Sequence, residues 1–369
     1  MDDIFSLAER LREKAKYREA LSLYKKALRI YRGDRDRRGE GDCLISIGDT
    51  CRMLGDFLSA EDAYIRAISL GKGLGDRLLQ ADAMVGLGLS KRAVGKWAEA
   101  LRLLSRAKKT YERESDRKAV AFTTWAEGGA YRIKGDIKNS IRSFRAALRM
   151  YGFRPGDPSS DIPRDAEDRR AIGYCLCGLG GVLRVAGQIE DSMKCYTDAN
   201  ALLSSLRDRF GTAYSHCGIG NAWRMKGDYT TALKHFRRAE AIYNRIGDIV
   251  SYSYTIWSMA MTYIMTAKFR MAEKCLYRAS ANFRKTGDVR GLIYCWLSEG
   301  ELLFLRGDPK GAIKLLRRAL NDSRKYNFKV EACHSAALLD YMDTGKANNA
   351  CYRGIGSALR FRAIPFNIP

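Results

Sequence analysis

The stretch Gly220-Asn221-Ala222-Trp223-Arg224-Met225-Lys226-Gly227-Asp228, followed by Ala232 and Ala239, decides the fold. It reads as the end of one helix, a tight turn and the start of the next, because Gly227 can take the left-handed conformation that closes a helix and Asp228 can cap its successor. The turn recurs as Ala15-Lys16, Gly55-Asp56, Gly95-Lys96, Gly135-Asp136, Gly187-Gln188, Gly227-Asp228, Ala267-Lys268 and Gly307-Asp308, at steps of 40, 40, 40, 52, 40, 40 and 40 residues. A fixed period of this size signals a solenoid of helical hairpins, each burying its apolar face by stacking on its neighbours.

The spacing predicts an all-α chain of eight hairpins, with first helices near 3–14, 37–54, 77–94, 117–134, 167–186, 209–226, 249–266 and 289–306. Second helices are expected near 17–32, 57–73, 97–113, 137–151, 189–206, 229–245, 269–285 and 309–326. Between hairpins a second punctuation, Gly33-Asp34, Gly75-Asp76, Ser115-Asp116, Asp208, Gly247-Asp248 and Gly287-Asp288, stops one helix and caps the next. Ala20, Ala60, Ala100, Ser140, Ser192, Ala232, Ala272 and Ala312 fall where helices must approach closely, and larger residues between the small columns, Tyr24, Tyr64, Tyr196, Phe236 and Tyr277 among them, fill the interface.

The spacing Gly48, Gly55, Ala60, Tyr64, Ala67 resembles the tetratricopeptide repeat (TPR) consensus, and the 40-residue period with Gly-Asp punctuation looks like its Pins-type variety. The resemblance spans residues 1–326. It implies a right-handed superhelix whose first helices line a concave groove, and a binding scaffold rather than a catalyst, with the ligand left open. The repeat domain is expected over 1–343, closed by a capping helix at 328–343, with a tail over 344–369 that ends in the apolar, proline-broken run Leu359–Pro369. One junction is twelve residues longer than the period, and three of the chain's six prolines lie in Gly152–Arg164, so 152–166 reads as a surface loop.

A formal charge of +23 and a pI near 9.7 imply a surface that attracts polyanions. The ten cysteines read as small core residues, with no Cys-x-x-Cys pair, and so point to a reducing compartment. The charged, helix-patterned start suggests no signal peptide, and the uncharged run Ile249–Ala267 stays in register with the repeat, as a buried first helix rather than a membrane span. The cytoplasm is the expected location.

No phosphate-binding loop, His-Glu-x-x-His or dinucleotide-binding glycine pattern occurs, and His216, His235 and His334 are scattered, so no catalytic residue, metal site or cofactor is expected. The informative column stands three residues before each turn: Arg12, Arg52, Arg92, Arg132, Arg184 and Arg224, giving way to Ile264 and Phe304. Stacked hairpins would make it a guanidinium ladder along the groove. The competing explanations are helix-end capping and pairing with Asp42, Asp49 or Asp82. Ten residues before the ladder lie Asp42, Asp82, Phe122, Tyr174, Tyr214, Tyr254 and Tyr294; nearer it come Trp125 and Trp257, then Gly129, Gly181, Asn221, Met261 and Glu301. The two glycines would leave room for a ligand backbone and Asn221 could bond a peptide amide, whereas Trp257 could equally pack between helices.

These columns predict a scaffold that binds an extended acidic or mixed acidic–hydrophobic segment of a partner protein, through Arg52, Arg92, Arg132, Arg184 and Arg224, flanked by Tyr174, Tyr214, Tyr254, Asn221 and Trp257. Two alternatives stay open: nucleic-acid binding, most plausibly RNA, on the basic surface, and self-association in which Phe361–Pro369 enters a neighbour's groove or its own.

Overall fold

Left-handed backbone residues punctuate the chain at the expected turns: Gly55, Gly95, Gly135, Gly187, Gly227 and Gly307 have φ between 78° and 89°, and Ala15 and Ala267 take the same region at 57° and 55°. Asp56, Asp136, Asp228 and Asp308 then accept a hydrogen bond from the backbone N–H three residues on, capping the second helices. The computed structural model describes residues 4–155, 163 and 165–369. Residues 156–162 and 164, most of the expected 152–166 loop, lie outside the described residues, as do residues 1–3 of the expected repeat domain.

Eight hairpins result: α1 (Ile4–Glu13) with α2 (Tyr17–Gly33), α3 (Arg37–Met53) with α4 (Phe57–Leu74), α5 (Arg77–Ala93) with α6 (Trp97–Arg113), and α7 (Arg117–Lys134) with α8 (Ile137–Met150). They continue as α9 (Ala166–Val185) with α10 (Ile189–Ser205), α11 (Arg209–Lys226) with α12 (Tyr229–Ile246), α13 (Ile249–Met265) with α14 (Phe269–Thr286), and α15 (Val289–Leu305) with α16 (Pro309–Lys325). A further helix, α17 (Lys329–Thr344), covers the last hairpin, and the short α18 (Ala350–Gly354) leads into the tail.

Aromatic rings and glycines explain the stacking. The Tyr64 ring lies where side chains at Gly48 and Gly86 would be, Phe144 serves Gly128 and Gly178 likewise, and Tyr196 fits Gly180 and Gly218, so that a Cβ at Gly218 would lie 2.1 Å from the ring. Each ring thus locks its own first helix to the next hairpin's. Where serine replaces the small alanine, its hydroxyl donates to the facing carbonyl: Ser140 Oγ to Gly128 O at 2.8 Å and Ser192 Oγ to Gly180 O at 2.7 Å.

Three expectations need correction. The first junction does not turn at Gly33-Asp34: Arg35 takes the left-handed conformation (φ 60°) and Asp36 caps α3. In α14 the interface is filled by the buried Leu276, in the same register as Tyr64 and Tyr196, while Tyr277 is 76% exposed. Not all cysteines are free: Cys333 of α17 and Cys351 of α18 form a disulfide, with seven of the other eight buried.

The superhelix closes on itself. Tyr17 at the first turn packs with Ala213 and Tyr243 of the sixth hairpin, and Gly55 at the second turn meets Ile249 and Thr286 of the seventh. The third turn reaches the capping helix, with Trp97 Nε1 donating to Tyr326 O at 3.2 Å and Gly95 against Phe328. The inner face of the first helices therefore surrounds a narrow axis.

Candidate ligand groove

The arginine ladder faces that axis, and the guanidinium groups of Arg92 and Arg132 lean over the residue six before the next turn. Arg92 lies on Gly129, where a Cβ would be 2.4 Å from Nη1, and Arg132 lies on Gly181, where it would be 3.2 Å. The two glycines thus make room for the preceding hairpin's arginine, a correction to their expected role of admitting a ligand backbone.

The ladder divides into three parts. At its start, acids neutralise it: Arg12 pairs with Glu9 and bonds Tyr24 Oη at 3.2 Å, and Arg52 Nη2 donates to Asp49 at 3.5 Å beside the Tyr64 hydroxyl, 2.7 Å from the same carboxylate. Of the other candidate acids, Asp42 pairs with Arg38 and Asp82 accepts from Tyr111, so neither serves the ladder.

In the middle, no carboxylate among the described residues pairs with the ladder. Arg92 has only the Trp125 ring, 5.3 Å from its guanidinium carbon, and burial, then the like charges of Arg132 and Arg52, lower its pKa to about 10. It stays charged near neutrality. Arg132 Nε and Arg184 Nε and Nη1 are buried without a hydrogen-bond partner. Such unmatched donors are uncommon in folded proteins and mark places where a further group would be bound favourably.

At the far end Arg224 is fully buried and grips the chain's own tail. Its Nη2 donates to Ile368 O at 2.8 Å and to Asn221 Oδ1 at 3.1 Å, its Nη1 donates to Asn367 Oδ1, and Asn367 Nδ2 returns a bond to Arg224 O at 2.8 Å. Burial, then the charge of Arg184, lowers its pKa to about 9. Phe366 N donates to Glu301, whose wholly buried carboxyl is pushed up to about 8 by burial. Phe366 and Ile368 are fully buried, and Phe361 stacks on Phe366 at 4.8 Å.

The flanking residues are engaged within the chain. Asn221 donates to Cys217 O at 3.1 Å and accepts from Arg224, so it orients the arginine instead of offering a free amide. Trp257 is buried between α13 and α15, its Nε1 bonded to Tyr294 O at 3.1 Å and Ser298 Oγ at 2.9 Å, which makes it a packing residue and corrects its placement in the groove lining. Tyr174 donates to Asp208 at 3.1 Å, Tyr254 packs edge-on against Phe283, and half-buried Tyr214 lies beside Phe210, close enough for Arg92 to feel its hydroxyl. The groove's occupant, Phe366–Ile368, falls within the Phe361–Pro369 run that the sequence offered as a groove ligand only as one alternative; what the sequence reading missed is its contact with Glu301.

Among the described residues no group of three or more His, Cys, Asp or Glu side chains is placed to hold a metal ion. His216 and His235 stand alone as a pair, Nδ1 to Nδ1 3.1 Å. No described helix is long and apolar enough to cross a membrane.

Comparison with known proteins bears on the fold. The tetratricopeptide repeat family model matches residues 4–72. No curated protein matches the sequence. Among solved structures, the Rap conjugation gene regulator of plasmid pLS20 with a Phr peptide has a TM-score of 0.61 at 15% identity, covering 96% of this chain and 93% of that one. NprR with its cognate peptide NprX scores 0.60 at 17% identity over 91% and 96% of the two chains, and the apo quorum sensor NprR from B. thuringiensis 0.56 at 10% over 86% of each. At these identities the likeness is one of fold. Eight stacked hairpins with glycine-aromatic locking, a tetratricopeptide family match over the first two, and whole-length similarity to these helical solenoids give this chain a tetratricopeptide-type fold.

Proposed function

We propose that the protein is a non-enzymatic interaction scaffold that holds an extended, acidic or mixed acidic–hydrophobic segment of a partner protein along the arginine-lined groove. The observation that carries the reading is the middle of the ladder: Arg92, Arg132 and Arg184 face one axis with no carboxylate among the described residues on them, and donor atoms of the last two are unpaired. Arg224 supports it by illustrating how one ladder position binds a backbone carbonyl and a side-chain amide of an extended chain together. The Rap and NprR structures, each with a peptide bound, agree with such a use of this fold. The reading places the protein in the cytoplasm, where its eight free thiols would stay reduced; the Cys333–Cys351 bridge does not follow from that setting.

The test is a panel of extended ten-residue peptides, acidic, apolar and mixed, titrated against the intact chain and an Arg132→Ala/Arg184→Ala variant. Acidic–apolar members are expected to bind in a salt-sensitive way, and the double substitution to weaken them by ~10-fold or more, about 1.5–3 kcal/mol for a charge-assisted bond. Equal affinity for both chains would refute the groove. Tight binding of generic RNA at physiological salt, with no peptide bound, would move the function to the exposed basic surface.

A further inference from the structure

The segment after α18 behaves as a ligand of the groove rather than as a loose end. Ser357 Oγ donates to Val185 O at 2.7 Å and Ala358 N to Ala186 O at 2.9 Å, fastening the tail's root to the fifth hairpin. Asn349 brackets Phe361 through both its amide atoms, at 2.9 and 3.0 Å. From there the chain runs to Glu301 of the eighth hairpin at Phe366 and to Arg224 of the sixth at Asn367 and Ile368. Its end therefore heads toward the lower-numbered hairpins, where Arg184 comes next.

The tail satisfies only part of what the groove offers. Its side chains include no Asp or Glu, so it reads the Arg224 site with neutral groups, and Arg184 Nε and Nη1 stay without a partner beside it. We propose that residues 360–369 are a resident, displaceable ligand, and that the partner segment the groove selects repeats its apolar–Asn–apolar core and adds carboxylates on the side of Arg184. The inference rests on the groove reading above and deepens it. A tethered occupant works at high effective concentration, so an outside segment binds with an affinity reduced by the fraction of chains whose groove is free. Carboxylates on Arg184 are what let it compete, since charge-assisted bonds to a guanidinium are roughly twice as strong as neutral ones.

The experiment uses the full chain and two labelled synthetic peptides, one with the sequence of residues 360–369 and one with two glutamates appended after the position of Pro369. They are titrated by fluorescence anisotropy against the intact chain and a tail-weakened Phe366→Ala/Asn367→Ala chain, with thermal melting to verify folding; Asn367→Ala alone replaces the double variant if that variant does not fold. Both peptides are expected to bind the tail-weakened chain at least ~10-fold more tightly than the intact one. The glutamate-extended peptide is expected to be the tighter of the two, and Arg184→Gln in the tail-weakened background to erase that difference. Equal binding to both chains would overturn the resident-ligand proposal while leaving the groove reading intact, as would the absence of any gain from the glutamates. Failure of either peptide to bind either chain would overturn the groove reading itself.

Discussion

Replacing Arg224 by alanine is expected to destabilise the protein by roughly 2–4 kcal/mol in chemical denaturation, whereas replacing Arg92, three ladder positions away, changes it by less than about 1 kcal/mol. The two arginines belong to one sequence column and differ in what they hold. Arg224 is the donor for Ile368 O, Asn367 Oδ1 and Asn221 Oδ1 in a wholly buried setting, and a buried acceptor left without its donor costs about 1–3 kcal/mol. Two effects limit the total. Removing a buried charge also removes its desolvation penalty, and once the loss exceeds the docking energy of the tail, the tail leaves and its acceptors bond water. Arg92 gives up the Trp125 contact and a weak attraction to Tyr214, and its loss relieves repulsion from Arg52 and Arg132. Arg224→Lys is expected to fall nearer to alanine than to arginine, because one ammonium cannot reproduce a planar fork reaching three acceptors.

The second large effect concerns pH. Glu301 titrates near 8 in the folded protein, through burial eased by the Phe366 N–H and the Arg224 charge, against an ordinary 4.5. Its folded form holds the proton more tightly than its unfolded form, so its contribution to stability is full below pH 4.5 and is lost as pH rises through 8. Each pH unit of that gap is worth at most about 1.4 kcal/mol. Glu301→Gln keeps an acceptor for Phe366 N and cannot ionise; it is expected to stabilise the chain at pH 8 by roughly 2–4 kcal/mol and to make little difference at pH 4.5. Denaturant titrations of both proteins at the two pH values check this, and an equal difference at both would contradict it. His334 acts in the opposite sense: burial, then the charge of Arg290, pushes it down to about 3, so its contribution is full above 6.5 and is lost as pH falls toward 3. The wild-type profile between 4.5 and 6.5 therefore conceals both slopes, and the single substitution exposes one.

Hairpin register was legible because a turn needs a left-handed residue and a cap at a fixed place, and helices that touch need small residues at a fixed place. Where left-handed residues are not glycine the reading slips, as at Arg35, and where aromatic and aliphatic neighbours compete for one slot it takes the larger, as with Tyr277 for Leu276. The inward direction of the ladder was legible for the same periodic reason. Of its partners only Asp49 was named from the sequence. Glu9, Asp49 and Asn221 are local, but the contacts that close the superhelix join residues such as Tyr17 and Tyr243, and no spacing in the repeat encodes how many hairpins complete a turn. The tail and the Cys333–Cys351 bridge lie outside the period, where the sequence supplies apolar character and proline breaks but no register.

The tail lies in the groove under the grip of Arg224, and amide hydrogen exchange at Phe366 reports that most directly. The Phe366 N–H, bonded to Glu301 in a fully buried position, is expected to exchange at least ~100-fold more slowly in the intact chain than in the free 360–369 peptide, and Arg224→Gln to return it close to the peptide rate. Exchange at the peptide rate in the intact chain would contradict the account.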